Sequence, residues 1–181
     1  KGDLLTQYIS FMKRLILNFD FGPSLIAFPR SAQDLIFERL PWTIGLLGTS
    51  VAISWLLGTA FGALAGWRAG TKLDRAFVAL ALAFSQIPFY VMAVFLVLLF
   101  GYLLRLLPTG GAYDPFLRPS LSAEFVMSVI KHAILPSLSL VLSTSFSWLL
   151  SMRSLVITIL GEDYILFAEA KGLRKLTIFQ R

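Results

Sequence analysis

The sequence predicts an all-α integral membrane protein, a polytopic helical bundle whose chain crosses the bilayer more than once. Three observations predict it. Of the 181 residues, 57% are hydrophobic and only 14% are charged, about half the charged fraction of an ordinary soluble domain. The mean hydropathy of +0.78 implies more apolar surface than a compact soluble fold of this length hides easily. Residues 40–67, 76–104 and 133–152 form runs of 28, 29 and 20 residues without a formal charge. Coiled as a helix, each is long enough to cross about 30 Å of hydrocarbon, and three such runs are rare in a soluble core.

The elements follow in order. Residues 1–41 read as an amphipathic region outside the bilayer. Within it LLTQYISFMKRLIL (4–17) has apolar residues at helical spacing around Lys13 and Arg14. It admits two readings, a helix lying in the interface or one facing water. NFDFGPS (18–24) is a turn-rich break, and residues 31–39 form a short helix with Ser31 as its cap and Asp34 three residues on. The membrane core is expected over 42–160, with spans at about 42–66, 76–104 and 132–160. Pro41 suits the first position of a helix. Gly58, Gly62 and Gly66 make a small-residue stripe along the far half of the first span, which lets another helix backbone approach closely.

The loop WRAGTKLDR (67–75) sets Arg68, Lys72 and Arg75 against a single acid, Asp74. In the second span, Pro88 of SQIPF (85–89) removes a backbone donor and predicts a kink. Ser85 and Gln86 beside it are polar at membrane depth and are expected to face protein or water. Residues 105–132 read as a loop. The third span starts near Lys131 or His132, with Pro136 in its first turns. Ser139, Ser143, Ser147 and Ser151 then recur every four residues. This ridge is either a wall of a hydrophilic path or a close-packing surface; both turn it inward. Ser85, Gln86, Pro88, Ser143 and Ser147 are the candidates for lining a path.

Charge counting does not orient the chain, since each side of the membrane would hold eight Lys and Arg residues. The density of positive charge in 67–75 places that loop in the cytoplasm, and with it the C-terminal segment 161–181. That segment, EDYILFAEAKGLRKLTIFQR after Gly161, reads as a helix–glycine–helix elbow. Asp163 suits a helix start, and Gly172 suits a left-handed stop. Such an elbow has little to do in lipid and reads as a protein contact. The chain stops within this polar segment and begins at Lys1, so it is expected to be part of a longer protein.

Several chemistries are excluded. There is no GxxxxGK[ST] loop for nucleotide phosphates. There is no cysteine, and His132 is the single histidine. Thus no Cys/His cluster offers a metal site, and no GxSxG serine has a base to activate it. The chain is expected not to be an enzyme. The charge of +6 suits an anionic membrane surface, and no separate basic domain exists to bind nucleic acid.

The C-terminal motif then points to a family. DYILFAEAKGL (163–173) resembles the peptide-type form of the EAA motif, the cytoplasmic loop of permease subunits of binding-protein-dependent ABC importers of the dipeptide, oligopeptide and nickel type. Asp163, Tyr164, Ala168, Ala170, Lys171, Gly172 and Leu173 stand at the matching positions. Counting back from Gly172, the general motif's Glu falls on Leu166, so Glu169 is not that acid. NFDFGPS, RLPWTIGL, SQIPF, LPTGG, and KHAILPSLSL leading to MRSLV follow in the family's order along nearly the whole chain.

The resemblance implies the type I importer permease fold, here an incomplete part of it. It implies a second, homologous permease subunit as partner, most simply in a heterodimer, two ATPase subunits carrying ATP and Mg, and an extracytoplasmic solute-binding protein. It implies the cytoplasmic (inner) membrane of a prokaryote. The coupling surface would be Asp163, Tyr164, Ala168, Ala170, Lys171, Gly172, Leu173, Arg174 and Lys175. Lys171, Arg174 and Lys175 either pair with acidic ATPase residues or simply hold the loop in the cytoplasm. Two rival functions remain at this level: a secondary transporter with broken helices, disfavoured by the lack of membrane-buried carboxylates, and a scaffold with no transport role.

Overall fold

A computed structural model describes residues 3–172, apart from the side chains of Leu166 and Glu169. Among these residues every regular element is helical. The chain falls into two compact units, one up to Gly45 and one from Leu46 onward.

In the first unit, α1 (Leu4–Asn18) buries none of its residues. Its apolar side chains, among them Leu4, Leu5, Ile16 and Leu17, are exposed, as an amphipathic helix needs if its apolar face meets something other than its own chain. Phe19 ends it in a left-handed conformation, φ 53°. The following loop is closed by hydrogen bonds. Asp20 Oδ1 accepts from Gly22 N at 2.8 Å, and Ser24 Oγ accepts from Ile26 N and Ala27 N. Helix α2 (Ala32–Trp67) starts beyond it. Ser31 Oγ accepts from Asp34 N at 3.1 Å, the cap expected from sequence.

Helix α2 does not begin at Trp42. Its first nine residues are already helical, and Pro41 lies inside it rather than at its first position. A proline interrupts one backbone bond without forcing a break when the turns on either side are held. Here the Ser31 cap holds the start, and the Thr43 hydroxyl donates to the Arg39 carbonyl beside the gap.

In the second unit, α3 (Lys72–Ser85) is followed by α4 (Phe89–Leu96), which continues into a π-helical segment, Val97–Leu103. In that segment Leu104 N donates to the Leu99 carbonyl, five residues back, at 2.9 Å. Where sequence predicts one kinked span, α3 and the α4 helix meet at 93°. The pair is thus a broken span or a re-entrant loop. The bend is larger than a proline kink because Pro88 does not sit within a helix. It caps a new one, and Val91 N and Met92 N donate to its carbonyl.

Helix α5 (Ala123–Leu160) starts nine residues before the expected span at 132. Ser122 caps it, its hydroxyl accepting from Phe125 N at 3.3 Å, and Glu124 complements the helix dipole in the first turn. Lys131 and His132 therefore lie within the helix, and His132 Nδ1 is 2.7 Å from the Ser128 carbonyl. Helix α6 (Asp163–Ala170) closes the described chain. With 36 and 38 residues, α2 and α5 are about 54 and 57 Å long at 1.5 Å per residue. Both exceed the hydrocarbon, so their ends project or the helices tilt.

Two helices are long and apolar enough to span a bilayer, and the bent pair makes a third if it counts as one span. The chain is a multi-pass membrane protein of the all-α class that composition predicts.

Candidate functional site

Small residues set the scaffold. The buried residues of α2 are Ser50, Ser54, Gly58, Gly62, Ala65 and Gly66. A methyl group placed on Gly58 would lie 2.5 Å from the Ser145 carbonyl oxygen. On Gly62 it would meet the Leu149 carbonyl at 2.5 Å, and on Gly66 the Arg153 carbonyl at 2.9 Å. All three contacts fall on α5, and they advance along both helices in the same direction, so α2 and α5 run parallel. Without a hydrophobic drive between helices in lipid, this backbone approach and its dispersion contacts hold the pair. A polar bond adds to it: Thr144 Oγ1 donates to Ser54 Oγ at 2.8 Å. The glycine stripe legible in sequence leaves out Ser50 and Ser54, although both continue the same four-residue step.

Helix α3 runs antiparallel to α5. Asp74 near its start meets Arg153, and Phe84 at its end stacks on Phe146 with ring centroids 5.4 Å apart. Beyond Phe84 the chain turns. Gln86 N donates to the Phe84 carbonyl, Pro88 starts α4, and Met92 and Leu96 pack with Leu135 of α5 into a buried apolar cluster. The elbow at 85–88 is thereby fixed against the middle of α5.

The five pathway candidates divide. Ser85 is half-buried, and Gln86 and Pro88 are exposed at the elbow. The Phe84–Phe146 stack sets that elbow beside the 143–147 stretch of α5. Ser143 is half-buried with a buried hydroxyl oxygen that has no hydrogen-bond partner, whereas Ser147 is exposed. Ser139, at the start of the ridge, is 2% exposed and donates to the Pro136 carbonyl.

The feature missed by sequence reading is an ion pair between residues 74 and 153. Asp74 is 2% exposed. Arg153 grips its carboxylate with both arms, Nε to Oδ1 at 2.5 Å and Nη2 to Oδ2 at 2.9 Å. Gly70 N donates to Oδ2 at 2.8 Å. The signal was present, a single acid in a basic loop, but nothing local named its partner.

The C-terminal segment follows α5 after Gly161. In α6, Asp163 and Tyr164 are exposed, Ile165 is buried, Ala168 is half-buried, and Ala170 is exposed. Lys171 N donates to the Phe167 carbonyl, and its ammonium lies 4.5 Å from the centre of the Phe167 ring. Gly172 has φ +81°, a left-handed conformation that stops a helix and that an L side chain resists. Leu173, Arg174 and Lys175 lie outside the described residues. Because α2 and α5 are parallel, the loop 67–75 and the start of α6 emerge on the same side.

A helical membrane core with a sharply bent helix pair, a glycine-packed helix pair and a short exposed helix after its last long helix is the class this geometry defines. The family model for the binding-protein-dependent transport system inner membrane component matches residues 58–181. The chain belongs to that family, the one its motif order resembles. It is 31% identical over 178 residues to the oligopeptide transport system permease protein OppB of Escherichia coli (strain K12), covering 98% of this chain and 54% of that protein. To the dipeptide transport system permease protein DppB of Bacillus subtilis (strain 168) it is 30% identical over 97% of this chain and 52% of that protein. To the oligopeptide transport system permease protein AppB of the same organism it is 28% identical over 93% and 52%. The chain spans about half the length of the curated relatives it matches.

Proposed function

We propose that this chain is part of a permease subunit of an ATP-driven importer for peptides or similar small solutes, in the cytoplasmic membrane of a prokaryote. In this reading it pairs with a second homologous permease in a heterodimer. Two ATPase subunits, which hold ATP and Mg, bind on the side of α6, and a solute-binding protein docks on the opposite side. The chain itself performs no catalysis.

The observation that carries the proposal is the short exposed helix Asp163–Ala170, closed by left-handed Gly172 at the end of a membrane-spanning helix, in a chain about 30% identical to peptide permeases nearly end to end. A helix of eight residues is too short to be stable alone. Its exposed face is suited to a protein partner, with Ala168 allowing close approach; Lys171 just beyond its end, and Arg174 and Lys175 further along the sequence, carry positive charge that acidic residues could meet. ATP binding favours the closed ATPase dimer. That difference in affinity drives the shift between inward- and outward-open states, delivered as rigid-body motion of the helices carrying α6.

The test is reconstitution of the full-length chain with its partner permease, ATPases and binding protein. ATP hydrolysis stimulated by the loaded binding protein is expected; its absence with every candidate solute defeats the importer reading. Removing residues 163–181 is expected to leave the chain in the membrane and release the ATPase. If the ATPase stays bound, the docking role of the segment is wrong.

A further inference from the structure

The Asp74–Arg153 pair is not accounted for by packing. Asp74 is buried and the Arg153 side chain remains 27% exposed; burying the carboxylate and part of the guanidinium costs desolvation that their attraction often fails to recover. What the pair does supply is geometry. A two-pronged guanidinium–carboxylate contact fixes angle as well as distance. Here one carboxylate holds both prongs of Arg153 on α5 and the Gly70 amide in the loop before α3. Asp74 is itself anchored in the first turn of α3, where its amide donates to the capping Thr71 hydroxyl at 3.3 Å. Gly66 at the end of α2 sits against the Arg153 carbonyl. Three helices are therefore tied at one level.

That level lies between two other features. Arg153 lies seven positions before the end of α5 at Leu160, about 10 Å of helix, and α6 follows. In the other direction α3 leads from Asp74 to the 93° break at 85–88. We infer that Asp74 and Arg153 are a positioning pair that makes the α6-bearing end of α5 and the start of α3 move as one body, so that displacement of α6 reaches the elbow at Ser85–Pro88. The inference rests on the importer reading. In this role each residue acts through the helix it holds.

The test uses the full-length chain in the complete complex, reconstituted in vesicles, and reads solute taken up per ATP hydrolysed. In D74N/R153M both charges are gone, so no unpaired charge is left behind, and the carboxamide at position 74 still offers an oxygen to the Gly70 amide. The double variant is expected to assemble and hydrolyse ATP, with uptake per ATP falling about tenfold, the size of an ordinary coupling free energy. R153K keeps the charge but loses the fork and is expected to fall between wild type and the double variant. Uptake per ATP at the wild-type ratio in the double variant overturns the inference. If the double variant does not assemble, R153K decides by the same readout, and an unchanged ratio again overturns it. Failure of the wild-type complex to show any ATP-driven uptake defeats the importer reading, and the positioning role falls with it. A wild-type complex that works beside a double variant equally well coupled removes the positioning role alone.

Discussion

Two ridges in this molecule share one sequence spacing and end in different places. On α2, Ser50, Ser54, Gly58, Gly62 and Gly66 recur every four residues, and all five are buried. On α5, Ser139, Ser143, Ser147 and Ser151 recur at the same step. Ser139 is buried, Ser143 half-buried, and Ser147 and Ser151 exposed. A straight helix turns through about 360° in 3.6 residues, so each four-residue step drifts some 40° further round. The serines of α5 show that drift directly. The stripe on α2 stays covered over a longer stretch because its neighbour follows it. The α5 contacts at Ser145, Leu149 and Arg153 keep pace with Gly58, Gly62 and Gly66. A four-residue repeat therefore marks a candidate surface, and the path of the partner helix decides how much of it is used.

Four single substitutions and one double variant sharpen or break that comparison. Gly62→Ala is expected to have the largest effect. Its methyl would meet a backbone carbonyl, which cannot swing aside as a side chain would, so overpacking of about 2 kcal/mol is expected. Gly48→Ala has open space around it and serves as the steric control, carrying the same gain in helix propensity without the clash. Reversible unfolding in mixed micelles measures both, and equal behaviour would show that α2 and α5 are not in backbone contact.

Ser143→Ala is expected to stabilise by about 1 kcal/mol, since a buried hydroxyl oxygen without a partner is removed. A loss of stability in the same unfolding experiment would mean that the hydroxyl has a partner, and the ridge would then be a packing surface at that point. Ser54→Ala removes the acceptor of the Thr144 bond and is expected to cost about 0.6 kcal/mol, the average for such bonds between membrane helices. Because Thr144 Oγ1 also reaches the Leu140 carbonyl, a Thr144→Val/Ser54→Ala double variant is expected to cost less than the sum of its parts. Strict additivity would show that the two hydroxyls do not interact.

Much of the fold is legible in the sequence. Ser31 reads as a cap, and its hydroxyl accepts from Asp34 N. Gly172 reads as a helix stop, and it has φ +81°. Both are local backbone facts, set by residues within a few positions of one another. The three membrane prolines are harder. Pro41 and Pro136 lie inside continuous helices, while Pro88 ends one helix and begins another. A proline removes the same donor in each case. What differs is the packing on either side, such as the apolar cluster of Met92, Leu96 and Leu135 that holds α4 across its break.

The sequence by itself determined the solvent of this protein, its helical class and the small-residue surfaces its helices offer each other. Hydropathy and the 3.6-residue period are carried by every short window of chain, so they need no partner to be read. Tertiary structure alone decided which stripe stays covered, how sharply the chain turns between α3 and α4, and that Asp74 meets an arginine 79 residues away. Those outcomes depend on where another helix lies, and a local pattern holds no record of the distance to a distant one.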